Sequence, residues 1–326
     1  MASEFDLIAR HFTRSVRRAR LGVGDDCALL DLTPGRELAI STDMLVAGTH
    51  FFPDTDPQRL GHKTLAVNLS DLAAMGAKPA SALLSLALPA ADEAWIAAFA
   101  RGFFALADEH GVELVGGDTT RTPPGGTLTL SVTILGEVPA GQAVRRSGAQ
   151  AGDDVWVSNT LGDAALGLAA LQGKVDLGKA ERDYCVARLE MPMPRIALGL
   201  ALRGIAHGML DISDGLAGDL AHIARASGVT AQVNVDALPL SPALRGVPRE
   251  LALQCALAGG DDYELCFTAA AAQRTAVEAA GGAAGVALTR IGSVMPAAAA
   301  VAPVRFVDGA GDELAFRLGG YDHFGA

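Results

Sequence analysis

Carboxylates recur along this chain at places where an apolar run stops. They stand in Gly24-Asp25-Asp26, Ser41-Thr42-Asp43, Asp71, Gly117-Asp118, Asp211-Ile212-Ser213-Asp214 and Gly260-Asp261-Asp262. Most adjoin glycine or a small polar residue, the pattern of a strand giving way to a loop. Open α/β folds collect ligands at the carboxyl ends of their strands. Carboxylates gathered there would repel one another, and hard divalent cations such as Mg²⁺ relieve that repulsion through oxygen ligands. Several Mg²⁺ ions in one site point to phosphate chemistry.

The chain has 326 residues, half of them apolar, enough for two domains with a sizeable core. A net charge of −11 argues against nucleic acid or an anionic membrane as partner. It leaves a phosphate ligand open, because bound metal reverses the local charge. Cys27, Cys185, Cys255 and Cys266 form no Cys-x-x-Cys pair, which fits a reduced, cytoplasmic protein. Cys27 reads as a small buried residue. The seven histidines show no zinc spacing. The N-terminus is no signal peptide, and no apolar stretch approaches the roughly 18 residues of a membrane span.

The spacing predicts an amphipathic helix over 3–18 and a strand over 37–42 that delivers Ser41, Thr42 and Asp43 to its end. A helix over 57–75 carries Leu60, Leu65, Leu69 and Leu72 at helical spacing, with Asp71 among them. Further elements are a strand over 83–88, a helix capped by Asp92 and closed by Gly111, and an alternating strand over 127–134. The Gly/Pro-rich stretch 136–152 marks a boundary between domains 1–140 and 141–326. Beyond it come strands at 154–158, 209–211, 231–235 and 263–267. Helices are expected at 162–172, 184–203 and from about 215, with another between the last two strands. The Ala/Gly-rich stretch 269–289 is ambiguous.

Taken singly, each acidic motif reads as a turn or a helix cap. Gly22-Val23-Gly24-Asp25-Asp26 lacks the Gly-Lys-Ser/Thr of a phosphate loop. The ordered set is more specific. Gly24-Asp25-Asp26-Cys27-Ala28, Ser41-Thr42-Asp43-Met44-Leu45-Val46, the run from Ala66 to Ala77, Gly116-Gly117-Asp118-Thr119-Thr120-Arg121 and Arg146-Ser147-Gly148-Ala149 occur in sequence. Asp211-Ile212-Ser213-Asp214-Gly215-Leu216, Asp262-Tyr263-Glu264-Leu265 and Gly320-Tyr321-Asp322-His323-Phe324 complete it. Nearly end to end, the chain resembles the thiamine-monophosphate kinase family, among the aminoimidazole ribonucleotide synthetase-like ATP-dependent enzymes.

That resemblance implies an α/β (α+β) fold of two domains, and a homodimer whose N-terminal strands form a barrel across the two subunits. It implies Mg²⁺ held by Asp26, Ser41, Thr42, Asp43, Asp71, Asp118, Asp211 and Asp214. Gly117, Asp118, Arg146 and Ser213 would contact ATP. His50, Asp261 and Tyr321 would meet thiamine monophosphate. The family usually has Glu where this chain has Asp261, so that contact is expected to be longer or water-mediated. The implied reaction moves the γ-phosphoryl group of ATP onto the substrate's phosphate. That acceptor has a second pKa of about 6 and is ionised near neutrality, so neither a general base nor a covalent nucleophile is expected. A related synthetase or a non-catalytic nucleotide sensor is the alternative, and the closing Gly320–Phe324 motif favours the thiamine enzyme.

Overall fold

The computed structural model describes residues 4–24, 26–297 and 302–314. It divides into two compact units, Met1–Leu72 with Ala77–Gly141, and Ala73–Gly76 with Gln142–Ala326. Tyr321 lies outside the described residues.

The first unit runs α1 (Glu4–Leu7), a π-helical turn Ile8–Phe12, β1 (Ala19–Leu21), β2 (Leu29–Leu30), β3 (Arg36–Val46), α2 (Pro57–Ala74), β4 (Lys78–Leu88), α3 (Glu93–His110), β5 (Glu113–Arg121) and β6 (Thr129–Pro139). The helix expected over 3–18 therefore stops at Phe12. Tertiary contacts compete for the residues that follow and override local propensity. Arg14 lies 3.7 Å from the centroid of the Phe104 ring and pairs with Asp108. The Glu113 carboxylate accepts the backbone N–H groups of Arg17, Arg18 and Ala19.

The sheet of this unit has the order β3-β6-β4-β5, with β4 and β5 parallel and the other pairs antiparallel. On β6, Leu130, Val132 and Ile134 are fully buried, while Ser131 and Thr133 of the opposite parity are partly exposed. This is the alternation read from the sequence. Strand β3 outruns its expected end. Its ladder with β6 is continuous from Arg36↔Pro139 to Val46↔Thr129, so Ser41, Thr42 and Asp43 sit mid-strand. Asp118 likewise lies inside β5 rather than in a following loop.

Helix α3 is capped as expected. Asp92 accepts from the N–H groups of Ala94 and Trp95, and Gly111 closes the helix at φ 64°. Trp95 stacks on the buried Phe99 with centroids 5.4 Å apart. Helices α2 and α3 meet backbone to backbone. A Cβ at Gly61 would lie 2.0 Å from the Phe99 carbonyl oxygen, and one at Gly102 would lie 1.7 Å from that of Gln58.

The second unit contains β7 (Asp153–Ser158), α4 (Asp163–Leu171), α5 (Lys179–Glu190), α6 (Ile196–Ala201), β8 (Ala206–Ile212), α7 (Leu216–Ser227), β9 (Val229–Asn234), α8 (Pro242–Arg245), α9 (Arg249–Ala258), β10 (Glu264–Ala270), α10 (Arg274–Ala284), β11 (Leu288–Pro296) and β12 (Val304–Val307). The helix expected over 184–203 is two helices. Pro192 and Pro194 fall between α5 and α6, where each removes a backbone donor. The sheet order is β12-β9-β11-β7-β10-β8, antiparallel except for β12 with β9. Leu216 and Leu220 of α7 and Leu257 of α9 share a core with Val155, Val157 and Ile212 of one sheet face. Trp156 and Phe267, opposite in parity, stack 6.5 Å apart.

The helix contact in the first unit is testable. Gly102→Ala is expected to lower the unfolding free energy by about 1–3 kcal/mol, the usual effect of overpacking. Denaturant midpoints measure it, and an unchanged midpoint would contradict a contact this close.

Candidate functional site

Each unit carries its own set of the residues singled out above. In the first, alternation along β3 puts Ser41 and Asp43 on one face and Thr42 on the other. Helix α2 serves the first pair. The Ser41 hydroxyl donates to Asp71 Oδ2, and the Asp43 N–H donates to Asn68 Oδ1 at 3.1 Å. Asn68 is buried and donates in turn to the Thr64 carbonyl. Asn68 and Asp71, three apart, share a helix face. The structure thus brings Ser41 and Asp71 into contact and ties the Asp43 backbone to the same helix. The Thr42 hydroxyl instead donates to the Val132 carbonyl and accepts from Thr133.

Asp26 and Cys27 lie exposed in the loop joining β1 to β2, so the expectation of a buried Cys27 fails. That loop and the β5 motif border one small pocket, lined in part by Val23, Gly117 and Asp118. Gly117 has to be glycine, since a Cβ there would sit 1.9 Å from the Leu84 carbonyl oxygen on β4. His50 Nδ1 accepts the Val46 N–H at 3.0 Å. The neutral ring therefore carries its proton on Nε2, where it is a donor. The buried Lys63 ammonium reaches the His50 carbonyl.

In the second unit the acidic residues do fall at strand ends. Asp211 is buried near the end of β8, opposite Leu265, and Ser213 and Asp214 follow directly. Asp214 does not cap α7, whose N-cap is Gly215. Asp219 reaches back from the first turns of α7 and accepts the N–H groups of both Ser213 and Asp214 at 3.1 Å. Burial pushes the Asp219 carboxyl up to about 6; the two N–H donors and the charge of Arg146 oppose that shift. Arg146 itself is exposed, and its carbonyl accepts from Ser227. Asp261 adopts φ 69°, and its N–H donates to the Ser213 carbonyl at 2.8 Å.

Known proteins resemble this chain in sequence and fold. The N-terminal domain model of AIR synthase related proteins matches residues 24–138, and the C-terminal domain model matches 150–302. The thiamine-monophosphate kinase of Salmonella typhimurium is 50% identical over 327 residues, with 98% of each chain covered. The chain belongs to the thiamine-monophosphate kinase family. The crystal structure of a thiamine-monophosphate kinase from Stenotrophomonas maltophilia K279a is 50% identical, covers 92% of this chain and 94% of its own, and superposes with a TM-score of 0.83. AaThiL complexed with AMPPCP and TMP is 30% identical, covers 90% of this chain and 89% of its own, and gives a TM-score of 0.76.

In this thiamine-monophosphate kinase family member, hydroxyl and carboxylate oxygens side by side at Ser41 and Asp71 are hard donors of the kind that suit Mg²⁺. Among the described residues no three His, Cys, Asp or Glu side chains are arranged as a metal cluster. Sequence reasoning assigned no role to Asn68, Glu113 or Asp219. Asp219 had a signal, an acid in the first turns of a helix that follows a Ser-Asp-Gly turn.

Glu113 anchors the arm that leads into the Asp26 loop. Burial raises its carboxyl, but the N–H donors of Ala19, Arg17 and Arg18 and the Arg18 charge outweigh this and hold it below its ordinary value. A lowered folded-state pKa stabilises above the unfolded value, and that contribution is lost as pH falls through the folded one. Hydrogen exchange is expected to show the amides of residues 17–19 losing protection below about pH 4. Unchanged protection of those amides in Glu113→Ala would contradict the anchor.

Proposed function

We propose that this chain catalyses ATP-dependent phosphorylation of thiamine monophosphate, giving thiamine diphosphate and ADP. Identity of 50% across 98% of the chain with a thiamine-monophosphate kinase carries the reading. The AaThiL complex with AMPPCP and TMP supports both co-substrates.

The acceptor is an ionised phosphate, so this chain's residues bring two anions into line rather than remove a proton. Mg²⁺, proposed as the resident cation, supplies charge neutralisation between the phosphates. Asp26, Ser41, Thr42, Asp43, Asp71, Asp118, Asp211 and Asp214 are its proposed ligands, directly or through water. Gly117, Asp118, Arg146 and Ser213 are proposed to hold ATP, with Arg146 offering a forked donor to phosphate oxygens. His50, through Nε2–H, and Asp261 are proposed to meet thiamine monophosphate, as is Tyr321. Alignment in the site supplies much of the remaining rate. Transfer is direct, with inversion at the transferred phosphorus.

A homodimer is part of the proposal. Strand β3 is an edge of its sheet and exposes Ile40 by 61% and Met44 by 58%, with Leu38 beside them. A long apolar edge of this kind is a template for pairing with another chain. Two such edges would extend into the barrel shared between subunits. No helix among the described residues is long and apolar enough to cross a membrane. The four free thiols fit the cytoplasm as the proposed location.

Purified protein with Mg²⁺ and ATP is expected to release ADP in step with thiamine diphosphate only when thiamine monophosphate is present. Folded protein that binds ATP but shows no such stimulation would overturn the reading. Asp71→Asn is expected to cut turnover about a hundredfold or more, the scale of losing one electrostatic stabiliser, while leaving the fold intact. Full activity of that variant at low Mg²⁺ would remove Asp71 from the cation site. Ile40→Asp is expected to shift the sedimentation of the protein from dimer to monomer, and an unchanged dimer would exclude the β3 edge.

A further inference from the structure

Three non-glycine residues have positive φ among the described residues, and all three surround one buried ionic group. They are Asn159 (φ 48°), Asp261 (φ 69°) and Tyr263 (φ 50°). Left-handed backbone is costly for such residues and persists only where neighbouring structure enforces it.

The enforcing group is in view. Glu264, the first residue of β10, is completely buried. It accepts hydrogen bonds from Ser158 Oγ, Asn159 Nδ2 at 3.1 Å, Arg188 Nη2 at 2.8 Å, and Nε and Nη2 of Arg195. Asp262 is buried as well, and its Oδ2 receives the Gly162 N–H at 2.7 Å. Its other oxygen has no hydrogen-bond partner among the described residues, and neither has Arg188 Nε. Neither Asp262 nor Glu264, nor Arg188 nor Arg195, has a part in the transfer described above.

Their effect falls on the residues beside them, Asp261 and Tyr263. Asp262 and Glu264 are both drawn into the interior. The Asp261 N–H is fixed to the Ser213 carbonyl and the Tyr263 N–H to the Ile212 carbonyl, each at 2.8 Å. A left-handed residue on each side of Asp262 lets the chain turn that side chain inward and leave Asp261 partly exposed. We propose that Asp262, held by the Gly162 N–H, and Glu264, clamped by Arg188 and Arg195, are positioning residues that hold the Asp261 carboxylate in place for thiamine monophosphate. This rests on Asp261 being a substrate contact. Burial also holds the Asp262 carboxyl well above its ordinary value, and asparagine would keep a side-chain oxygen to accept the Gly162 N–H.

The test compares Michaelis constants for thiamine monophosphate and ATP in the full-length enzyme. Asp262→Ala is expected to raise the constant for thiamine monophosphate about tenfold, the scale of losing an orienting partner, with the ATP constant within about twofold. Asp262→Asn is expected to restore most of the loss. The double variant with Asp261→Ala is expected to be no worse than Asp261→Ala alone, because one residue acts through the other. Additive losses, or equal rises for both substrates, would overturn the proposal. So would a normal thiamine monophosphate constant in Asp262→Ala, while a defective Asp261→Ala kept the substrate reading. A normal constant in Asp261→Ala would sink that reading itself. If Asp262→Ala does not fold, Glu264→Gln decides. It keeps the shape and one acceptor but loses the charge between the arginines, and an unchanged thiamine monophosphate constant there would overturn the proposal.

Discussion

Polar contacts tie α2 to β3, and the proposed cation ligands Ser41, Asp43 and Asp71 depend on them. Asn68 is 1% exposed, where an amide without partners is costly. It has a partner on each side, the Asp43 N–H on the strand and the Thr64 carbonyl on its own helix. Three residues along a helix and two along a strand advance by about 4.5 and 6.7 Å, near enough for Asp71 to meet Ser41 in the same register. Sliding the strand by one residue would bring Thr42 and Met44 to the helix in place of Ser41 and Asp43. The register of β3 therefore decides which side chains meet α2. The glycine crossing of α2 and α3, two turns earlier along α2, also fixes where that helix lies.

The second unit solves the same problem differently. Asp211 is still held in the β8 ladder opposite Leu265, but Asp214 follows β8 and Asp261 precedes β10, so their loops must be made rigid by other means. Asp219 ties down two successive N–H groups after β8. Before β10, backbone N–H groups of residues 261 and 263 are anchored to carbonyls of the neighbouring turn. One unit orients its carboxylates from regular elements, and the other from loops stiffened by buried carboxyl groups.

What the sequence made legible follows from what is local. The Asp92 cap, the Gly111 stop and the alternation of β6 are each settled within a few residues, and each is found as read. The helix expected to reach residue 18 fails because its backbone donors go to Glu113, some ninety-five positions away. The end of β3 was misplaced because polar Ser41-Thr42-Asp43 looks like a loop, whereas pairing with β6 carries it through as strand. Pro192 and Pro194 were visible signals that a single helix over 184–203 overrode. At the site, the ordered acidic motifs stood out, but the groups that aim them did not. Asn68 looks like one polar residue in an apolar helix, and Glu264 like part of a strand, until the fold brings their partners in.

The left-handed backbone at Asp261 bears on the residue found there. The family resemblance leads one to expect glutamate at this position. Aspartate and asparagine enter the left-handed region more readily than longer side chains, because their short polar groups can bond locally. This chain has thereby exchanged reach for backbone ease: its carboxylate ends one methylene nearer the main chain, on a loop that adopts its shape with less opposition. Substrate and scaffold thus pull the choice at residue 261 in opposite directions, and its permissible alphabet is narrower than its partial exposure suggests.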